Sequence, residues 1–170
     1  MRTNASAKIE PPNEKPPLYW GNILAPTDFS KTLKQALKTS TCLAEQCGAK
    51  INLLHVVWLP ASCSITAPLD VEGIMNSSRE SLDEISEEIP AALLQEKLVR
   101  LGAQETVQEI IETARDLSAD LIVIATHGHS RFERAWLQST AEKVIRHAPC
   151  PVLLVRGKEV FSDPNKRRRD

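Results

Sequence analysis

The sequence has no long hydrophobic run. Its purely apolar stretches are only a few residues long, far short of the ~20 that a membrane-spanning helix needs. The opening residues, MRTNASAKIEPPNEKPPLYW, lack the apolar centre of a secretory signal, so the expected compartment is the cytoplasm. No Cys-x-x-Cys occurs among the four cysteines at 42, 47, 63 and 150, which in that compartment are expected as reduced thiols. Cys42, Cys47 and Cys150 read as small packing groups, and Cys63 as the accessible thiol. Net charge is −1, which excludes a global field drawing the chain to nucleic acid or membrane. There is no Walker A sequence, no Gly-x-Gly-x-x-Gly and no Gly-x-Ser-x-Gly elbow, so the familiar phosphate loops and the serine hydrolase turn are missing. No internal repeat is visible.

What is present fits one globular domain. The 170 residues are 42% apolar and 25% charged, ordinary values for a chain that buries a full core. Residues 1–21 are polar and proline-rich and read as an arm outside the fold, with Tyr19 and Trp20 able to tack its end onto the body. Asn22 to Thr27 reads as a strand ending at Asp28-Phe29-Ser30, with Ser30 as the N-cap of a helix. That helix places Leu33, Ala36, Leu37, Leu43, Ala44 and Cys47 on one face and stops at Gly48. Ile51 to Trp58 is almost continuously apolar, as in a strand buried on both faces. A polar helix follows from about Val71 to Glu88, with Ile74, Leu82, Ile85 and Ile89 inward. Residues 91–101 leave two readings open: Leu94, Leu98 and Leu101 have helical spacing, while the alternation of elements asks for a strand. Thr106 to Leu117 is helical, Leu121 to Ala125 a strand, and 126–138 a long loop. Ser139-Thr140-Ala141-Glu142 is a capping box that starts the last helix, and Val152 to Arg156 is the last strand. About five strands alternate with four helices, which predicts an α/β sandwich of three layers. The domain then spans 22–157, and 158–170 is a basic tail whose NKRRRD reads as solubilising, with nucleic acid an unlikely target by the overall charge.

In such a fold ligands sit at the carboxyl ends of the strands. Asp28 there either accepts hydrogen bonds from a ribose hydroxyl or an adenine amine, or complements the helix dipole. Gly128 permits close backbone approach, and Ser139 and Thr140 at a helix start offer free amides to an anion. Arg131 and Arg134 either bond phosphate or belong to a solvated loop. His127 and His129 form a His-x-His pair, but Arg131 and Phe132 stand where a metallohydrolase continues with Asp and His, so no metal site is expected. His55 and His147 read as partly buried, hydrogen-bonded side chains. Thr126-His127-Gly128-His129 also fits the short nucleotidylyltransferase pattern, but after the fourth strand rather than the first and without a second lysine-rich motif. With no positioned general base, an enzyme is the weaker reading, at most slow hydrolysis of ATP.

Taken together, ILAPTDFS at 23–30, INLLHV at 51–56, ADLIVIATHGHS at 119–130 and STAEKVIRHAPCPVLLVR at 139–156 resemble the universal stress protein family. The resemblance implies a parallel five-stranded sheet of order 3-2-1-4-5. It also implies a homodimer paired through the last strand, here Val152 to Arg156, and protein partners that the sequence does not identify. Many members bind ATP through Gly-x2-Gly-x9-Gly-(Ser/Thr) and an aspartate after the first strand. Carried onto this chain, the site is Pro26, Thr27, Asp28, Val56, Ala125, Gly128, Gln138, Ser139 and Thr140, with ATP (accompanied by magnesium) or AMP as ligand between strands 1 and 4. Ala125 and Gln138 stand where the pattern has glycine. An alternative expectation follows: a member without tight nucleotide binding that acts as an interaction module.

Overall fold

A computed structural model of the chain describes residues 20–30, 32–59, 70–102, 105–126 and 133–156, with side chains at all of these except Thr126 and residues 133–139. The elements run β1 (Asn22–Thr27), α1 (Leu33–Cys47), β2 (Lys50–Trp58), α2 (Val71–Ser86), β3 (Leu94–Gly102), α3 (Thr106–Asp116), β4 (Leu121–Thr126), α4 (Glu133–His147) and β5 (Val152–Arg156). The strands form one parallel sheet of order β3-β2-β1-β4-β5, the expected doubly wound α/β architecture.

The layers follow from the period of two along each strand. Ile23, Ala25, Ile51, Leu53, Leu121 and Val123 point to one face and pack with Leu33, Ala36 and Leu37 of α1 and Leu82 of α2. Leu24, Leu54, Ile122 and Ile124 point to the other and pack with Val107, Ile110, Ile111 and Ala114 of α3 and Val144 of α4. Both faces of the central strands are therefore covered, which is why β1, β2 and β4 read as nearly continuous apolar runs. Trp20 packs against the first of these clusters, as its place at the end of the arm suggested. Asp120 locks the starts of β1 and β4 together: its Oδ2 accepts from the amides of Gly21 at 2.8 Å and Asn22 at 2.9 Å, and its own amide donates to the Asn22 carbonyl.

Residues 94–102 are a strand. Of the two readings left open, the strand asked for by the alternation of elements holds; the helical spacing is possible because β3 is an edge strand, and Leu94, Leu98 and Val99 are only half buried. Gly48 sits at φ 69° past the end of α1, the left-handed conformation that glycine adopts without strain. Ser30 is not the N-cap of α1. That position falls to Thr32, because Thr27 to Ser30 is used up in its own turn. The acidic side chains on and just past α2 are exposed, with Asp83 of the helix paired to Lys97 and Glu88, two residues beyond its end, paired to Lys34 at 2.7 Å.

The largest correction concerns the last helix, which begins at Glu133 rather than Ser139. Arg134, Ala135, Leu137 and Gln138 are good helix formers, and no glycine or proline interrupts them. The chain has no reason to restart at Ser139. Glu142, the acid of the supposed capping box, instead accepts from Arg146 one turn on, at 2.7 Å. Ser139 and Thr140 are thus in the second turn of α4.

Cys42, Cys47 and Cys150 are free thiols. Cys47 and Cys150 pack against the core as expected, but Cys42 is exposed on the outer side of α1. Burial, and then the nearby Asp120 carboxylate, push the Cys150 thiol above its ordinary value. The thiolate is the reacting form, so iodoacetamide at mildly alkaline pH alkylates the exposed Cys42 well before Cys150. Peptide mass spectrometry over time checks this, and equal rates would refute it. The proton held by Cys150 favours the folded state below the unfolded thiol value. That contribution disappears as pH rises through the higher folded value. Cys63, His127, Gly128, His129 and Arg131 lie outside the described residues, as do the arm before Trp20 and the basic tail.

Candidate functional site

The order β3-β2-β1-β4-β5 places the topological switch between β1 and β4. The chain leaves β1 toward β2 and β3, then crosses back to β4 and β5. Ligands in open parallel sheets occupy the crevice at that point. Here the two strands also part early. β1 and β4 are paired only at Ile23↔Leu121 and Leu24↔Ile122, whereas β1 stays paired to β2 through Thr27↔His55. Pro26, which has no N–H to give a ladder, lies in the parting stretch.

A cleft of about 180 Å³ opens there. From β1 and the turn after it come Pro26, Thr27 and Asp28; from β2, Leu54, His55, Val56 and Trp58; from β4, Ile124 and Ala125. Thr106 and Ile110 of α3, Thr140 and Ala141 of α4, and Leu33 of α1 complete the wall. Of the residues expected at the site, Pro26, Thr27, Asp28, Val56, Ala125 and Thr140 are brought together in this cleft. Gly128 lies outside the described residues. Gln138 and Ser139 are placed in the helical backbone of α4, not at a helix start.

The turn after β1 is held by its own side chains. Thr27 Oγ1 accepts from the Phe29 amide at 3.0 Å, and Asp28 Oδ1 from the Ser30 amide at 2.9 Å. Phe29 has φ 59°, a conformation that a bulky residue adopts only when its surroundings enforce it. Its ring meets His55 at a centroid distance of 4.2 Å. His55 Nδ1 lies 2.9 Å from the Thr27 carbonyl oxygen; a carbonyl can only accept, so Nδ1 carries the proton and a neutral His55 keeps a lone pair on Nε2. Asp28 is exposed and precedes the helix by several residues, so it is a fixed carboxylate at the cleft rather than a first-turn acid.

His55 fits its reading as a partly buried, hydrogen-bonded side chain; His147 bonds the Lys143 carbonyl at 2.9 Å but is exposed. Among the described residues no group of three or more His, Cys, Asp or Glu side chains is arranged for a metal, and no helix is long and apolar enough to cross a membrane. His55, Trp58, Thr106, Ile110, Ile124 and Ala141 were not expected in the site. Trp58 had a usable signal, since it ends the apolar run of β2. Thr106 and Ile110 had none, because only the packing of α3 over the sheet brings them to the cleft.

The profile of the Universal stress protein family matches residues 20–156. This chain belongs to that family. Universal stress protein MJ0531 of Methanocaldococcus jannaschii is 34% identical over 143 residues, covering 79% of this chain and 81% of that protein. Among solved structures, hypothetical protein MJ0577 is 26% identical with a TM-score of 0.66, over 82% of this chain and 97% of that one. The universal stress protein from Archaeoglobus fulgidus in complex with dAMP is 21% identical with a TM-score of 0.55, over 81% of this chain and 98% of that one, a likeness of fold.

Proposed function

We propose that this universal stress protein is a small regulatory protein of the stress response, whose cleft between β1 and β4 takes an adenine nucleotide, AMP or ATP, as a signal rather than as a substrate. The observation that carries this reading is the convergence of Pro26, Thr27, Asp28, Val56, Ala125 and Thr140 on one cleft at the switch point. Its apolar walls suit the faces of a purine. Asp28 Oδ2 and His55 Nε2 supply acceptors for ribose hydroxyls or an exocyclic amine. The A. fulgidus protein of this fold was solved with dAMP, which agrees with the reading. Magnesium enters only as the companion of ATP.

Titration calorimetry with AMP and with ATP plus magnesium tests the proposal. The expected result is saturable heat and a raised melting temperature, since a ligand at a hundred times its Kd stabilises the fold by about 2.7 kcal/mol. Absence of both at millimolar nucleotide would leave the second reading, an interaction module that has dispensed with nucleotide. The continuous helix at Gln138 and Ser139 favours that alternative.

The working unit in either case is a homodimer in the cytoplasm. β5 is at the sheet edge, and its Leu154 is 42% exposed; an open apolar edge calls for covering. Pairing through Val152–Arg156 supplies it. Size-exclusion chromatography with light scattering should give a dimer for the native chain and a monomer for Leu154→Lys. A native chain that runs as a monomer at micromolar concentration overturns the arrangement.

A further inference from the structure

Resting on the reading that the cleft holds an adenine ligand, we propose that it recognises the nucleoside part alone, so that adenosine binds as tightly as AMP or ATP. Three observations converge on this. First, only the first four amides of a helix are free to bond an anion. In α4 those belong to residues 133–136, because the helix starts at Glu133. The amides at 138–140, where the family pattern would seat phosphate, are engaged within the helix.

Second, the charge on the described lining residues has the wrong sign for phosphate. Among the described lining residues the one formal charge is the Asp28 carboxylate, whose Oδ1 is already fixed by the Ser30 amide. It repels a phosphate while accepting from sugar hydroxyls. α3 also opens on the cleft at Thr106, but Glu105 occupies its N-cap and Glu109 its first turn. These acids already use the positive end of its dipole.

Third, the space and lining suit a base and sugar. The cleft's 180 Å³ is below the roughly 300–1,000 Å³ of sites that enclose a whole drug-sized ligand. Leu54, Val56, Ile110 and Ile124 make its inner surface apolar, while Trp58, 55% exposed, lines it with ring surface still open to a partner. An uncharged planar ring gains from such a surface, and base–aromatic stacking is tolerant of what the sugar carries.

The test is calorimetry on the full chain with adenosine, AMP and ATP plus magnesium in parallel. The three dissociation constants are expected to agree within about threefold, a spread of less than 1 kcal/mol. ATP binding about tenfold tighter than adenosine, or ATP binding with no adenosine heat, overturns this inference and leaves the nucleotide reading standing. No heat from any of the three removes both. Asp28→Asn gives a second measurement, since the amide keeps an oxygen for Ser30 but loses the charge. The ratio of ATP to adenosine affinity should rise about threefold, the scale of an exposed charge pair. A ratio that stays level or falls counts against the repulsive role of Asp28.

Discussion

A chain carrying Gln138→Gly should bind ATP about tenfold or more tightly than the native protein, with its affinity for adenosine unchanged. The gain comes through the helix rather than the ligand. α4 continues from Glu133 past residue 138 because nothing in that stretch resists helix formation. Glycine in a helix interior is about 1 kcal/mol less favourable than alanine, and two marginal turns do not withstand that. The helix can then restart at Ser139, with Glu142 leaving Arg146 to close the capping box that the sequence already spells. The new start would free amides next to Thr140 and Ala141, which line the cleft, and a hydrogen bond to a charged oxygen is worth about 1.5–3 kcal/mol, which is tenfold or more in affinity. Calorimetry gives the affinities, and hydrogen exchange shows whether 133–138 has lost protection. Freed amides with no gain for ATP would show that the helix is not what withholds the phosphate site.

The same stretch explains what could be read beforehand. Most of the fold was legible because the strands β1, β2 and β4 are buried on both faces and announce themselves as apolar runs. β3 was legible only through the alternation of elements, since an edge strand half exposes its apolar residues, and Leu94, Leu98 and Leu101 satisfy a helical period as well. The neighbour relations of the strands came through resemblance to the family; a single chain's pattern does not encode which strand lies beside which. At the site, the residues of the family pattern were found, Thr140 of α4 among them, whereas Thr106 and Ile110, which only the packing of α3 delivers, were not. His55 was visible but looked inert, because its bond to the Thr27 carbonyl and its contact with Phe29 depend on a turn of unusual backbone. The start of α4 was misread for a different reason. A local capping signal at Ser139 is real chemistry, but it operates only when the preceding residues stop the helix, and Gln138 does not.

The last expectation concerns the core under the cleft. Asn52→Leu should raise the unfolding free energy by about 1–3 kcal/mol, the usual penalty of a buried polar group without a partner. Asn52 is fully buried in β2, and neither its Nδ2 nor its Oδ1 has a hydrogen-bond partner among the described residues. By alternation it shares a sheet face with Leu54 and Val56, and it is level with Leu24 of β1. A leucine of similar length adds apolar contact there and leaves no amide to desolvate. The control is Leu24→Ala on the neighbouring strand. Leu24 is likewise fully buried, and its truncation should lower stability by about 2–5 kcal/mol through lost burial and a residual cavity. Urea titrations with unchanged slopes separate the two. A midpoint that falls for Asn52→Leu would mean that the amide is held by an interaction worth more than its burial penalty. A midpoint that rises would mark Asn52 as a stability defect built into the strand, and since Leu54 and Val56 of the same strand face line the cleft, the stabilised chain is also the one in which to ask whether looseness beneath the site is needed for ligand entry.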